Sequence, residues 1–65
     1  MTLAEKIAAL RKKKGLSQEG LAELAGVARQ SVAKWESGES VPELDKLVRV
    51  ADAFLVSLDS LARDQ

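Results

Sequence analysis

Sixty-five residues with ten basic and ten acidic side chains give zero net charge and room for one hydrophobic core, hence one domain over 1–65. Cysteine and histidine do not occur, which excludes disulfides, zinc sites built on thiolate or imidazole, and Cys- or His-based catalysis. No stretch reaches the roughly 18 apolar residues of a membrane span and no signal-peptide run opens the chain, so a cytoplasmic protein without a membrane partner is expected.

The chain opens on "TLAE" at 2–5, which has the form of a capping box: Thr2 accepts from the Glu5 amide while Glu5 reaches back. Leu3, Ile7 and Leu10 follow at helical spacing, and Gly15 supplies the left-handed residue that stops this first helix. Lys12, Lys13 and Lys14 crowd its last turn, where they either complement the negative helix end or reach toward phosphate. Ser17 caps a second helix over about 18–25, with Leu21, Ala22 and Ala25 inward and Gly26 at its end. A third helix runs from about Ala28 to Ser37 and closes on Gly38. Its Val32 and Trp35 face inward; Arg29, Gln30, Ala33 and Lys34 face outward. Pro42, in the "ESVP" loop, is placed to start a fourth helix over about 43–54. The inner stripe expected there is Leu44, Leu47, Val48, Ala51 and Phe54 or Leu55. Ser57 then caps a short fifth helix containing Leu58 and Leu61. Five helices with short connections predict a compact all-α domain. Local preference explains neither Gly20, which costs up to about 1 kcal/mol relative to alanine in a first turn, nor Ala28, where a hydroxyl cap would contribute about 1 kcal/mol.

Residues from about 17 to 37 form one unit. Two helices meeting steeply through a three-residue turn need a small side chain where their axes approach, here Ala22. They also need a residue tolerant of positive φ at the corner, here Gly26. Leu21, Ala25, Val27, Val32 and Trp35 can pack inside. The constellation matches a helix-turn-helix. Charge is polarised around it: residues 1–35 hold seven basic and three acidic side chains, and residues 36–65 hold three basic and seven acidic. Such a chain can present one positive face to phosphate, or simply two solvated faces of opposite sign. A major groove admits an α-helix whose N-terminal residues reach furthest in. Arg29 can donate two hydrogen bonds to guanine, Gln30 can pair with adenine, and Lys34 reaches a guanine or a phosphate one turn later. The carboxylates are scattered over helical surfaces, with no nucleophile, glycine-rich phosphate loop or metal cluster. No catalytic residue, cofactor, metal or small-molecule site is therefore expected, and the chain does not read as an enzyme.

The run "RKKKGLSQEGLAELAGVARQSVAKWESG", followed by "VPELDKLVRVADAFLVSLDSL", resembles the DNA-binding domains of phage-repressor and Cro-like helix-turn-helix regulators (the xenobiotic-response-element type). The resemblance covers about residues 3–62. It implies a sequence-specific transcriptional regulator, a repressor acting as a homodimer on an inverted-repeat operator in double-stranded DNA. It implies that Gln18 bonds DNA phosphate and braces the base-reading residue below it, and that Ser31 is a phosphate contact. Arg29, Gln30 and Lys34 match base-reading positions of the recognition helix. Arg11 and Glu36 match a buried ion pair joining the first helix to the end of the third. Gly20, Ala28 and Leu55 depart from the family pattern, which favours Glu, Ser or Thr, and Gly there. Leu55 therefore puts a bulky side chain where a left-handed residue is common.

One helix-turn-helix covers few bases, so specific binding calls for a two-fold dimer on half-sites about one helical turn apart. Val50, Leu55, Val56 and Leu58 cluster around the end of the fourth helix and the start of the fifth, and not all can be inside. The resemblance places the dimer interface there. The rival reading is a protein-interaction module, antitoxin- or antirepressor-like, or the DNA-binding piece of a longer regulator.

Overall fold

A computed structural model describes residues 1–55. It contains four α-helices: α1 (Leu3–Lys13), α2 (Gln18–Ala25), α3 (Arg29–Ser37) and α4 (Leu44–Phe54). The expected fifth helix, with Ser57, Leu58 and Leu61, lies outside the described residues. α3 packs on both α1 and α2, and α4 packs on α2. Among the described residues no helix is long and apolar enough to cross a membrane.

Side chains at the helix ends account for where α1 and α2 begin. Thr2 Oγ1 accepts from the Glu5 amide at 3.1 Å and Glu5 Oε1 accepts from the Thr2 amide at 2.8 Å, completing the capping box. Ser17 Oγ accepts from the Gly20 amide at 2.9 Å. Ala28 caps α3 in an extended conformation with no side-chain bond. Pro42 does not begin α4. It precedes the extended Glu43 cap, outside the helix, and is buried.

α2 ends in a Schellman arrangement: the Val27 amide donates to the Ala22 carbonyl at 3.0 Å and the Gly26 amide to that of Glu23 at 3.3 Å. Gly26 sits at φ 73°, and a Cβ there would meet Arg49 Nη1 at 2.8 Å. Its requirement for glycine is the backbone angle first, since the arginine tip can move.

The core holds Ile7, Leu21, Ala22, Ala25, Val32, Trp35, Leu47, Val50, Ala51 and Phe54. On α4 this differs from the expected stripe. Leu47, Val50, Ala51 and Phe54 are buried, whereas Leu44 is 68% and Val48 41% exposed. The two stripes share three residues and lie roughly 50° apart at about 100° per residue. Both satisfy a helical period, so the sequence of α4 alone could not choose. Packing against α2 selects the one containing Val50. Val50 is 0% exposed and is therefore a core residue, not a surface one available to a second chain.

Leu55 closes α4 with φ 55° and ψ 41°, the single non-glycine residue at positive φ among the described residues, and its side chain is 85% exposed. A left-handed L-residue costs roughly 1–2 kcal/mol, and glycine recovers less than that because it also loosens the unfolded chain. Leu55→Gly is expected to stabilise the isolated domain by up to about 1 kcal/mol in urea unfolding. The comparison is made at low protein concentration; no gain there would show that the left-handed backbone at Leu55 carries no strain.

Candidate nucleic-acid interface

The helix-turn-helix geometry brings the start of α2 beside the exposed side of α3. Val32 (0% exposed) and Trp35 (5%) anchor α3 to the core, which leaves Arg29, Gln30 and Lys34 exposed and Ala33 and Ser31 half-buried. Trp35 is thus packing, not a stacking surface. The outward arc begins at the N-terminal end of α3, where side chains project beyond the helix body.

Beneath that arc lies a hydrogen-bonded network. Arg11 Nε donates to Glu36 Oε2 at 2.6 Å and Arg11 Nη2 to Glu36 Oε1 at 3.1 Å, a two-pronged pairing of α1 with α3. The two side chains are 13% and 9% exposed. Arg11 Nη1 also donates to the Leu16 carbonyl at 2.9 Å, fixing the turn into α2. Gln18 Nε2 donates to Glu36 Oε1 at 3.1 Å, and Arg29 Nη1 donates to Gln18 Oε1 at 3.4 Å. The Gln18–Glu36 bond joins the two pairings that the resemblance implied, Arg11 with Glu36 and Gln18 with the base-reading residue, into one chain of four side chains. Among the described residues no buried side-chain nitrogen or oxygen lacks a partner.

Burial pushes the Glu36 carboxyl up, but hydrogen bonds from Arg11 and Gln18, with the charges of Arg11 and Lys12, hold it below its ordinary value. A depressed carboxyl contributes stability fully above its unfolded pKa of about 4.3 and loses it as pH falls through the lower folded value. The difference in stability between wild type and Glu36→Gln is therefore expected to be flat from pH 7 to about 5 and to shrink below about 4. Thermal unfolding at a series of pH values checks this; a difference independent of pH down to 2 would contradict it.

Lys34 Nζ stands 4.0 Å from Glu39 Oε2, both well exposed, so the pair is screened and adds little to stability. Glu39 does partly offset the lysine's charge toward an anion. Sequence reasoning missed this contact because Gly38 ends α3 between the two, outside the spacing of helical pairs. The Gln18–Glu36 bond was missed too: no local pattern joins residues on two different helices. Of the residues expected at a dimer interface, Leu55 is exposed, Val50 is buried, and Val56 and Leu58 lie outside the described residues. Among the described residues no group of acidic side chains could hold a metal ion.

The Helix-turn-helix family model HTH_3 matches residues 7–61. The HTH-type transcriptional activator BcrR of Enterococcus faecalis is 41% identical over 61 residues, covering 94% of this chain and 30% of that protein. The cryptic phage CTXphi transcriptional repressor RstR of Vibrio cholerae is 38% identical over 61 residues, covering 94% of this chain and 54% of that protein. The chain thus spans less than a third and about half of the length of these two relatives. A crystal structure of the P22 c2 repressor in complex with a synthetic operator superposes with a TM-score of 0.94 at 29% identity, covering 100% of this chain and 98% of that one. The biofilm regulator SinR in complex with DNA superposes with a TM-score of 0.85 at 33% identity, covering 92% and 97%. With a matched region that runs from within α1 through the whole of α4 and covers well over half of the sequence, the chain belongs to the helix-turn-helix family.

Proposed function

We propose that this domain reads a specific double-stranded DNA sequence through the N-terminal end of α3 and acts as a transcriptional repressor, bound as a two-fold dimer to an inverted-repeat operator. The observation that carries the reading is the pairing of exposed Arg29 with Gln18 across two helices, with Gln30 and Lys34 on the same exposed side of α3. Arg29, Gln30 and Lys34 are the base-reading residues, and Gln18 and Ser31 contact phosphate. The operator-bound P22 c2 repressor and DNA-bound SinR support the mode of binding. Recognition takes place in the cytoplasm.

For the dimer, α4 offers Leu44, Val48 and Leu55 along one side, all exposed, with Val41 exposed in the loop before it. These take the place of Val50 in the interface, with Val56 and Leu58 completing it. Large apolar side chains grouped on one helix side are the usual material of a small isologous contact.

Selection from a random duplex library at near-physiological salt tests the reading. Wild type is expected to enrich two inverted half-sites about one helical turn apart. Arg29→Ala is expected to lose preference at one base pair per half-site, a discrimination of about 1–3 kcal/mol, with its melting unchanged. An Arg29→Ala protein that enriches the same bases as strongly would refute the assignment. A folded wild type that enriches nothing would favour a protein partner instead.

A further inference from the structure

We propose that Glu36 is a positioning residue for base reading, acting on Arg29 through the side-chain amide of Gln18; this rests on the DNA-reading role proposed for Arg29. An amide carries a donor at one end and an acceptor at the other, so whichever end is held inward dictates what the other end presents. Glu36, ionised and acceptor-only, takes three hydrogen bonds: two from Arg11 and one from Gln18 Nε2. The inward end of Gln18 is therefore its donor. Its oxygen faces the opposite neighbour, where it accepts from Arg29 Nη1 at 3.4 Å. That last link is long for an N–H···O bond. It holds the guanidinium loosely toward Gln18 without consuming the donors that would face a base.

The source of this orientation is the part-buried ion pair between α1 and α3. Glu36 is 9% exposed and fixed by the α1 arginine, and Arg11 in turn holds the Leu16 carbonyl two residues before Gln18. Backbone and side chain at the start of α2 are thus both set by the same ion pair. A glutamine at position 36 would reverse the pattern. Its oxygen would be claimed by the Arg11 guanidinium, leaving its amide donor toward Gln18. Gln18 would then turn its own oxygen inward and present Nε2, a donor, to Arg29. Two donors repel, and Arg29 would lose its bias toward the base-reading arrangement.

Glu36→Gln and Gln18→Met test this, each in the full chain. In the free protein, nitrogen-resolved NMR of the side-chain Nε–Hε of Arg29 and the amide of Gln18 reads the relay without DNA. Both variants are expected to shift the Arg29 signal and speed its solvent exchange. On DNA, the ratio of affinities for the selected site and for the site altered at the Arg29 base pair is expected to fall about three- to tenfold. This ratio is measured on one sample, so a reduced folded fraction does not affect it. The double variant is expected to do no more than either single one, since both cut the same path. A merely structural role for Glu36 would weaken all duplexes uniformly and leave the ratio intact. An unchanged Arg29 signal, an unchanged ratio, or additive losses would overturn the proposal. If wild type itself shows no base preference, the DNA-reading role falls, and the Arg29 signal in the free protein still decides whether Glu36 positions it.

Discussion

Arg11→Ala is expected to destabilise the domain by about 2–4 kcal/mol, at or below the cost of breaking a fully buried pair because both residues are part-buried. Domains of this length have roughly 3–10 kcal/mol in total. The alanine removes both bonds to Glu36 and the one to the Leu16 carbonyl. Glu36 keeps a single partner, Gln18, and its charge stays largely out of water. Removing one half of a part-buried pair is costly because the other half remains; replacing both by apolar residues of similar volume is far milder. Lys12→Ala, one residue along and exposed, serves as the control and is expected within about 0.5 kcal/mol of wild type. Urea unfolding of the three proteins decides it. A loss under about 1 kcal/mol for Arg11→Ala would mean the pair is solvated and the network above it loosely held.

Phe54→Ala is expected to cost a further comparable amount, about 3–5 kcal/mol, while Leu44→Ala on the same helix costs less than about 0.5 kcal/mol. Phe54 is 1% exposed, lies in the last turn of α4 and is the largest fully buried side chain among the described residues. Truncating it opens a cavity that the neighbouring Leu47, Val50 and Ala51 can only partly fill. Leu44 sits on the solvent side, so its truncation removes little buried area. Thermal unfolding at protein concentrations diluted until the melting temperature no longer changes separates the two. A large loss for Leu44→Ala under those conditions would restore the stripe read from the sequence and place α4 differently.

These two sites mark what the sequence makes legible. The ends of α1 and α2 follow from Thr2, Glu5 and Ser17 because capping is local chemistry, decided within three residues. The inward face of α3 is equally legible, since its short stretch has few apolar residues to place and only one arc holds Val32 and Trp35 together. The face of α4 is not. Seven large apolar residues and alanines spread over more than one arc, and the choice belongs to α2, a partner distant in sequence. Pro42 shows the same limit on a smaller scale: its fixed φ suits a first helical residue, yet burial in the loop places it ahead of the Glu43 cap.

For the candidate interface, the exposed Arg29, Gln30 and Lys34 were readable from helical spacing alone, whereas the roles of Gln18, Arg11 and Glu36 came from resemblance. The resemblance also paired Arg11 with Glu36 and Gln18 with the base-reading residue; the bond that joins these two pairs, Gln18 to Glu36, came from neither source. Gln18 and Glu36 are eighteen residues apart and meet because Ala22 and Gly26 let α2 and α3 cross closely. Leu55 is the reverse case. Its oddity is visible in the sequence, and the structure shows it as a left-handed backbone with an exposed side chain.

Whether the N-terminal end of α3 enters the groove with the start of α2 on the backbone is decided by NMR. The uniformly labelled domain is titrated with a duplex enriched in selection, and backbone and side-chain amide shifts are followed residue by residue. The largest changes are expected at Gln18, Arg29, Gln30, Ser31 and Lys34, with the exposed side of α4 moving only as the dimer forms. Changes confined to α4 or to Lys12–Lys14, with Arg29 and Gln30 unmoved, would contradict entry by α3.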